Sequence, residues 1–480
     1  MRMLDKLNNF VFGIVVFFKY KKELCFDEWD YIERHILTSQ GVMKNFWMRH
    51  PKLHFSFKCR DNTELQESVL GGRLESCDWK KHLAEKLDPR RPTVLIITHD
   101  VTRTGAPRIA LEILRHYSGT HNTVFYSLCG GNMIKEFSAV ATCSAFHLGA
   151  SCLQERLQRE LKLIMKVAIP ELAIVNSIGS ASVLPVLAKA GIPKIHLIHE
   201  IADLEPISTF EQSAQYSEMM VFPAEFVKAH AMRRCPKIAS DKVAVIPQGV
   251  FPKNNQSGKP SEGIMAVERP SGATTSRPLI IHGAGTVQFR KGVDLFLQCA
   301  DILSKMKLDQ KIKFQWTGAG FNESDYDYSA YLRHQIHSLG LTHLVEMTSE
   351  MDDLDEAYCR ADIFFLSSRF DPLPLVAQEA MDHALPLVCF DDSGGIPEFL
   401  KRDPVASYGV VPYLDVNAAA GKIAALIRDP QLRERVGNAG KLIVDKNFNA
   451  GQYFSALDDV ARRIRKETGK RVGQPVQGKL

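Results

Sequence analysis

A repeated alternation of short apolar runs with helical segments begins near residue 93 and constrains the fold of this chain most strongly. The first series of apolar runs occupies residues 93–97, 123–128, 172–175, 194–198, 219–222 and 243–246. Segments with helical spacing of apolar residues separate these runs, and the first of them covers residues 108–116. Strands that alternate with helices predict a parallel sheet that is covered by helices on both faces.

A second series of the same kind follows a polar segment. Residues 251–278 are rich in Pro, Ser, Gly and Asn, which predicts a linker. Beyond it, apolar runs occupy residues 279–282, 312–316, 344–347, 363–366 and 385–390. We therefore predict two doubly wound α/β domains, residues 91–276 and 277–448, whose strand ends face one cleft, where ligands of such sheets bind.

The two ends of the chain lie outside this alternation. Residues 1–90 contain three of the four tryptophans and are predicted to form an accessory region. The apolar run 10–18 is shorter than the about 20 residues of a spanning helix. A buried element, an interfacial membrane contact and a signal peptide are its alternative interpretations. Residues 449–480 are predicted to form a helix with a basic tail, which is either solvated or attracted to anionic lipid head groups.

Charge and cysteine content exclude several classes of protein. The net charge of +5, from 60 basic against 55 acidic residues, is too small to indicate nucleic-acid binding. The ten cysteines include no CxxC pair and no cluster at zinc spacing, which argues against a disulfide framework or a structural zinc. These features predict a cytoplasmic protein, with peripheral membrane contact as an option.

Two carboxylates in the second domain have the chemistry of a sugar site. Asp371 and Glu379 lie within residues 367–381 (SSRFDPLPLVAQEAM), with seven residues between them. Asp371 is predicted in the loop after a strand, and Glu379 on the helix that follows. Carboxylates accept charge-assisted hydrogen bonds from paired hydroxyls, and the start of a helix suits a diphosphate. From spacing alone, a solvated surface position is the competing interpretation.

The sequence around these carboxylates resembles the donor-site pattern of glycosyltransferase family 4. Residues 367–381 and the later turn 393–398 (SGGIPE) carry the resemblance. It implies that Asp371 contacts the donor sugar, that Glu379 binds the ribose, and that the amides of Leu375 and Val376 hold the diphosphate. Pro374 departs from the glycine of the family and has no N–H to donate.

Other segments extend the resemblance. Residues 283–294 place Lys291 at the diphosphate-binding lysine of the family, whereas Thr286 replaces its arginine and leaves Arg290 as the candidate cation. In the first domain, Gly105 lies in a loop that implies close backbone approach to a phosphate or an acceptor. His199 occupies the position of the active-site histidine, with a purely structural histidine as the alternative.

The resemblance implies a GT-B fold and a retaining glycosyltransferase. Its donor would be a nucleoside-diphosphate-sugar, and its acceptor the hydroxyl of a glycan or glycolipid in polysaccharide or glycolipid assembly. It implies no cofactor and no metal. Asp325 and Asp327 match an acidic pair that transferases of another fold use to hold a divalent ion, but no metal is predicted here.

Two alternatives stay open from the sequence. One is another GT-B chemistry, a sugar-nucleotide epimerase or a phosphorylase. The other is a catalytically silent sugar-nucleotide-binding protein, because Thr286 and Pro374 depart from the pattern of the donor loops.

Overall fold

A computed structural model describes residues 85–146, 153–251, 277–322, 328–351 and 353–472. Several predicted features lie outside these residues. They are most of the accessory region with its apolar run 10–18, the central part of the linker, the acidic pair at 325 and 327, and the last eight residues of the basic tail.

The first domain is built on a sheet of seven parallel strands in the order β3-β2-β1-β4-β5-β6-β7. The strands are β1 Thr93–Thr98, β2 Asn122–Ser127, β3 Cys143–Phe146, β4 Leu172–Asn176, β5 Lys194–Leu197, β6 Met219–Phe222 and β7 Val243–Val245. Strands β1 and β2 are buried along their whole length. Continuous burial of this kind follows from helices on both faces of a parallel sheet.

Six α-helices connect these strands. They are α1 Gly105–Ser118, α2 Ile134–Val140, α3 Leu153–Val167, α4 Leu184–Lys189, α5 Ile207–Tyr216 and α6 Glu225–Arg234. Helix α1 follows β1 and directs its apolar stripe, which includes Ile109, Ile113 and Leu114, into the core of the first domain.

The second domain has a sheet of six parallel strands in the order β10-β9-β8-β11-β12-β13. The strands are β8 Leu279–Ala284, β9 Ile312–Thr317, β10 Val345–Thr348, β11 Ile363–Leu366, β12 Leu387–Phe390 and β13 Val410–Val411. In both sheets the strand order reverses beside the first strand of the domain, which is the position of a topological switch point and of its ligand crevice.

Within the described residues of the second domain there are seven α-helices. They are α7 Val293–Ser304, α8 Tyr328–Ser338, α9 Asp355–Arg360, α10 Leu375–Asp382, α11 Gly395–Leu400, α12 Val416–Arg428 and α13 Pro430–Asn447.

The predicted pair of doubly wound parallel sheets is confirmed, with differences at single strands. Sequence reasoning missed β3 and β13, because these edge strands have only four and two residues, and β3 is interrupted by Ser144. Strand β12 begins at Leu387 rather than at residue 385. The preceding Pro386 lacks the N–H that a strand residue donates to its neighbour.

The last helix returns from the second domain to the first. Helix α14, Ala450–Val472, packs Tyr453, Leu457 and Ile464 into the apolar cluster of β1 and α1. Its Asp458 accepts a hydrogen bond from the Tyr117 hydroxyl at 2.8 Å. Among the helices that the structure describes, none is long and apolar enough to cross a membrane.

Apolar and polar contacts join the two domains. One buried cluster combines Phe222 and Ala224 of the first domain with Phe364 and Leu373 of the second. The Gln248 side-chain amide donates to the carbonyl of Leu373 at 2.7 Å. The structure therefore has the domains packed against each other beside the cleft.

Two core histidines are buried without a full set of partners. Nε2 of His196 lies 2.9 Å from the Ser177 carbonyl, and Nε2 of His282 lies 3.1 Å from Oγ1 of Thr317. In both rings, Nδ1 has no partner among the described residues. Burial lowers the pKa of His196 and of His282 to about 4. Both imidazoles are therefore neutral in the folded protein at neutral pH.

This burial predicts a loss of stability in mild acid. The unfolded chain takes up a proton on each histidine near pH 6.5, whereas the folded protein does so only near pH 4, so stability falls as the pH decreases between these values. From about pH 7.5 to 5.5, each such histidine lowers the free energy of unfolding by about 1 kcal/mol. We expect His282→Gln to flatten the pH profile of urea unfolding by that amount. Parallel profiles for the two proteins would contradict the assignment.

Candidate active site

The two parts of the carboxylate pattern meet in the structure. Asp371 follows β11, and its backbone N–H donates to the Ser393 carbonyl at 2.8 Å. The N–H of Gly395 returns a hydrogen bond of 2.8 Å to the carbonyl of Pro372. The turn 393–398 therefore holds the loop that carries Asp371.

Glycine makes this approach possible at two positions. A Cβ on Gly394 would lie 1.8 Å from the Asp371 carbonyl oxygen, and one on Gly292 would lie 2.0 Å from that of Ser367. Gly292 also has φ +66°, in the left-handed region that favours glycine. The loops around Asp371 and Lys291 are packed backbone against backbone.

A buried ion pair lies at the centre of this arrangement. The Lys291 ammonium donates to Oδ2 of Asp371, and these residues are only 8% and 6% exposed. Nη1 of Arg290 lies 3.5 Å from Oδ1 of the same carboxylate, and Ser368 Oγ lies 3.3 Å from Oδ2. Burial acts to raise the pKa of Asp371, but the two cations outweigh it and hold this pKa below its ordinary value. Asp371 is therefore an anion beside two basic side chains.

Glu379 lies on the same side of the second domain and faces the first. It is the fifth residue of α10 and is 8% exposed, so the solvated-surface interpretation is wrong for it. The Tyr358 hydroxyl donates to Oε2 at 3.0 Å, and Nη2 of Arg108 donates to Oε1 at 2.7 Å. Arg108 belongs to α1, so this ion pair crosses from one domain to the other.

The start of α10 offers backbone donors beside Glu379. The helix begins at Leu375, directly after Pro374, and Pro374 provides no side-chain hydrogen bond to cap it. The N–H groups of Leu375 and Val376 have no partner within the helix, because they belong to its first turn. The Leu375 side chain packs into the apolar cluster of the first domain.

His199 lies in the first domain, in the loop after β5. Its Nε2 is 2.8 Å from Oδ1 of Asn176, while Nδ2 of Asn176 donates to the carbonyl of Ala106 at 3.0 Å. Because Asn176 presents its oxygen to the ring, His199 carries its proton on Nε2. Nδ1 has a free lone pair, with no partner in the part of the chain that the structure describes. Burial lowers the pKa of His199 to about 4, so the ring is a neutral acceptor.

Gly105 lies next to this histidine network. It is the first residue of α1 and precedes Ala106, whose carbonyl accepts from Asn176. A Cβ at position 105 would meet no atom within 4 Å, so the backbone borders open space there.

The structure brings the predicted site residues together in three groups. The first group is formed by Asp371, Arg290 and Lys291. The second lies on α10 and contains Leu375, Val376 and Glu379. In the third, Asn176 joins His199 to the carbonyl of Ala106, the residue after Gly105. Arg108 connects the last two groups.

Sequence reasoning missed three residues of the site. Tyr358 and Asn176 fix Glu379 and His199, but each stands alone in the sequence without a pattern around it. The predicted loop segment ends at Arg108, which the structure places with Gly105 in the first turn of α1, and nothing in the sequence indicates Glu379 as its partner. Within the described ranges, no group of three or more His, Cys, Asp or Glu residues is placed to hold a metal ion.

Comparison with known proteins places this site in a family context. Residues 266–442 match the family model described as "Glycosyl transferases group 1". A sulfoquinovosyl transferase of Arabidopsis thaliana is 27% identical over 180 residues, which are 37% of this chain and 32% of that protein. The amylovoran biosynthesis glycosyltransferase AmsD of Erwinia amylovora is 30% identical over 115 residues, 24% of this chain and 32% of that protein. The aligned part spans about a third of each relative.

A solved structure extends the likeness to both domains. The crystal structure of Anabaena HepE in complex with UDP matches with a TM-score of 0.64 over 77% of this chain and 100% of that chain, at 14% identity. The predicted GT-B fold is thereby confirmed. The family match and the relatives support the group 1 glycosyltransferases as the superfamily, whereas the narrower assignment to family 4 stays a prediction.

The packing of Gly394 gives a direct test of the site geometry. We expect Gly394→Ala to move the Asp371 loop, because the new Cβ overlaps the Asp371 carbonyl, and to lower stability by about 2 kcal/mol or more. Thermal unfolding measures the change. Gly421→Ala is the matched control, since Gly421 is exposed on α12 with no atom near its Cβ, and there alanine raises helix stability by up to about 1 kcal/mol. Equal effects of the two substitutions would contradict the close approach.

Proposed function

We propose that this chain is a retaining glycosyltransferase that moves a sugar from a nucleoside-diphosphate-sugar to an acceptor hydroxyl. The observation that carries the proposal is the grouping of Asp371, Arg290 and Lys291 beside the helix of Glu379, with His199 at the strand ends of the opposite domain. The family match over residues 266–442 covers the first two groups.

The second domain supplies the groups that a donor needs. Glu379 accepts hydrogen bonds from the ribose hydroxyls, and the amides of Leu375 and Val376 bind the diphosphate. Each carboxylate oxygen accepts more than one hydrogen bond, so Asp371 can bind the sugar while it remains paired with Lys291.

The basic residues act on the leaving group. As the glycosidic bond breaks, the nucleoside diphosphate gains negative charge, and Lys291, Arg290 and the positive end of α10 stabilise it. Arg290 provides the charge that Thr286 cannot. Packing of the two domains over the donor excludes water and limits hydrolysis.

The acceptor side of the cleft lies in the first domain. Gly105 and His199 border the space that the acceptor enters. Nδ1 of His199 is buried without a partner among the described residues, and it accepts a hydrogen bond from a sugar hydroxyl once the neighbouring side chains move aside. We propose a glycan or glycolipid acceptor in polysaccharide or glycolipid assembly, with the protein in the cytoplasm and peripheral contact with a membrane. UDP-sugars are the first donors to test, because HepE structures contain UDP and UDP-glucose.

Donor binding is tested by substitution of Glu379. A ligand that binds only the folded protein raises its unfolding temperature, so UDP-, GDP-, ADP- and dTDP-sugars are screened by thermal shift. We expect one nucleotide to stabilise the wild type and Glu379→Ala to abolish the shift. Glu356→Ala, which changes an exposed glutamate of the same domain, is the control and keeps the shift. An unchanged shift in Glu379→Ala would remove this residue from the donor site.

The role of His199 is tested by the pH dependence of turnover. Loss of one hydrogen bond in His199→Ala is expected to lower kcat by about tenfold. Because its pKa of about 4 keeps the ring neutral, the ratio of wild-type to variant kcat should be the same at pH 6 and pH 8. His334→Ala, at an exposed histidine of α8, should leave kcat unchanged. A ratio that falls between pH 8 and pH 6 would contradict a neutral acceptor.

A further inference from the structure

Arg108 connects the two domains at the carboxylate assigned to the ribose. It is the fourth residue of α1, and its Nη2 lies 2.7 Å from Oε1 of Glu379. The Arg108 side chain is 39% exposed and that of Glu379 is 10% exposed. The ion pair is therefore largely covered at Glu379 and partly exposed at Arg108.

Glu379 is held from two directions. Tyr358, on α9 of its own domain, donates to Oε2, and Arg108 of the other domain donates to Oε1. Neither contact uses all the lone pairs of its oxygen, so each oxygen keeps the capacity to accept a further hydrogen bond from a bound ligand. Arg108 need not leave for a ribose to bind, and its contact fixes the direction in which the free lone pairs point.

The rest of the contact between α10 and the first domain is apolar. Leu375 packs in the same cluster as Ile109, the residue after Arg108. Helix α10 thus touches the first domain through apolar packing, which includes Leu375 at its start, and through one ion pair a turn later. Separation of the domains would break both contacts and leave Glu379 oriented by Tyr358 alone.

We propose that Arg108 is a positioning residue of the donor site, which orients Glu379 from the opposite domain and thereby couples domain closure to nucleoside-diphosphate binding. The inference rests on the proposed role of Glu379 as the ribose ligand. A ligand shifts an equilibrium towards the state that it binds better. In this protein the nucleotide should bind the closed state better, because Arg108 contacts the Glu379 carboxylate only when the domains are closed.

Arg108 differs from a neighbouring arginine of α1 in the domain to which its partner belongs. Arg115 lies on the same helix, but its partner is Glu112, one turn away on α1. Arg115→Gln therefore changes the same type of residue on the same helix without touching the second domain, and serves as the matched control.

The test is a double-mutant cycle with UDP, or with whichever nucleoside diphosphate stabilises the wild type most. Calorimetric Kd values are measured for the wild type, Arg108→Gln, Glu379→Gln and the double variant. We expect Arg108→Gln to weaken binding by about tenfold. In the Glu379→Gln background, the same change should alter Kd by less than about twofold, because its effect acts through the carboxylate. Donor KM should rise while kcat at saturating donor changes little, and Arg115→Gln should bind as the wild type does.

Three results would overturn the proposal. Unchanged binding in Arg108→Gln would show that the ion pair does not act on the site. An equal loss with and without the Glu379 carboxylate would show that Arg108 contacts the nucleotide directly. In both cases the proposed function stands, provided that Glu379→Gln weakens binding. A wild type that binds none of UDP, GDP, ADP and dTDP would overturn both proposals. Arg108→Met, of similar length, repeats the measurement if the Gln variant does not fold.

Discussion

The buried ion pair between Asp371 and Lys291 is the interaction on which the site depends. A carboxylate that is 6% exposed requires compensation for its lost hydration, and the compensation comes from a lysine 80 residues earlier in the chain. The loop after β8 must therefore stay against the loop after β11. Gly292 and Gly394 allow this, because at each position a carbonyl oxygen occupies the space of a side chain.

These loops set the position of helix α10, and α10 in turn contacts the first domain. Pro374 ends the Asp371 loop and sets the first turn of the helix, so that Glu379 faces Arg108 while Leu375 enters the core of the first domain. Helix α14 adds a second connection, since it leaves the second domain and completes the core of the first. The two domains are thus held together by covalent, apolar, hydrogen-bonding and ionic contacts, and the ionic one involves the carboxylate assigned to the ribose.

The pattern of apolar residues predicted the strands correctly where the apolar runs were uninterrupted. Uninterrupted apolar runs, such as the core of β1 and the whole of β11, are buried on both faces, so their sequences indicate a strand without help from neighbours. The short edge strands β3 and β13 depend on pairing with β2 and β12 and carry little information of their own. The solvated-surface interpretation of Glu379 failed for a related reason, because burial is decided by what packs above a residue and not by its spacing.

The sequence by itself determined the two doubly wound domains and the placement of Asp371, Glu379, Arg290 and Lys291 at strand ends and helix starts, because local periodicity and turn residues decide these features. Only the tertiary structure decided which charges meet. Arg108 and Glu379 are separated by 271 positions, and no local rule links residues at that distance. Their contact exists because two sheets pack with their strand ends facing, and that packing is set by the summed apolar surface of both domains.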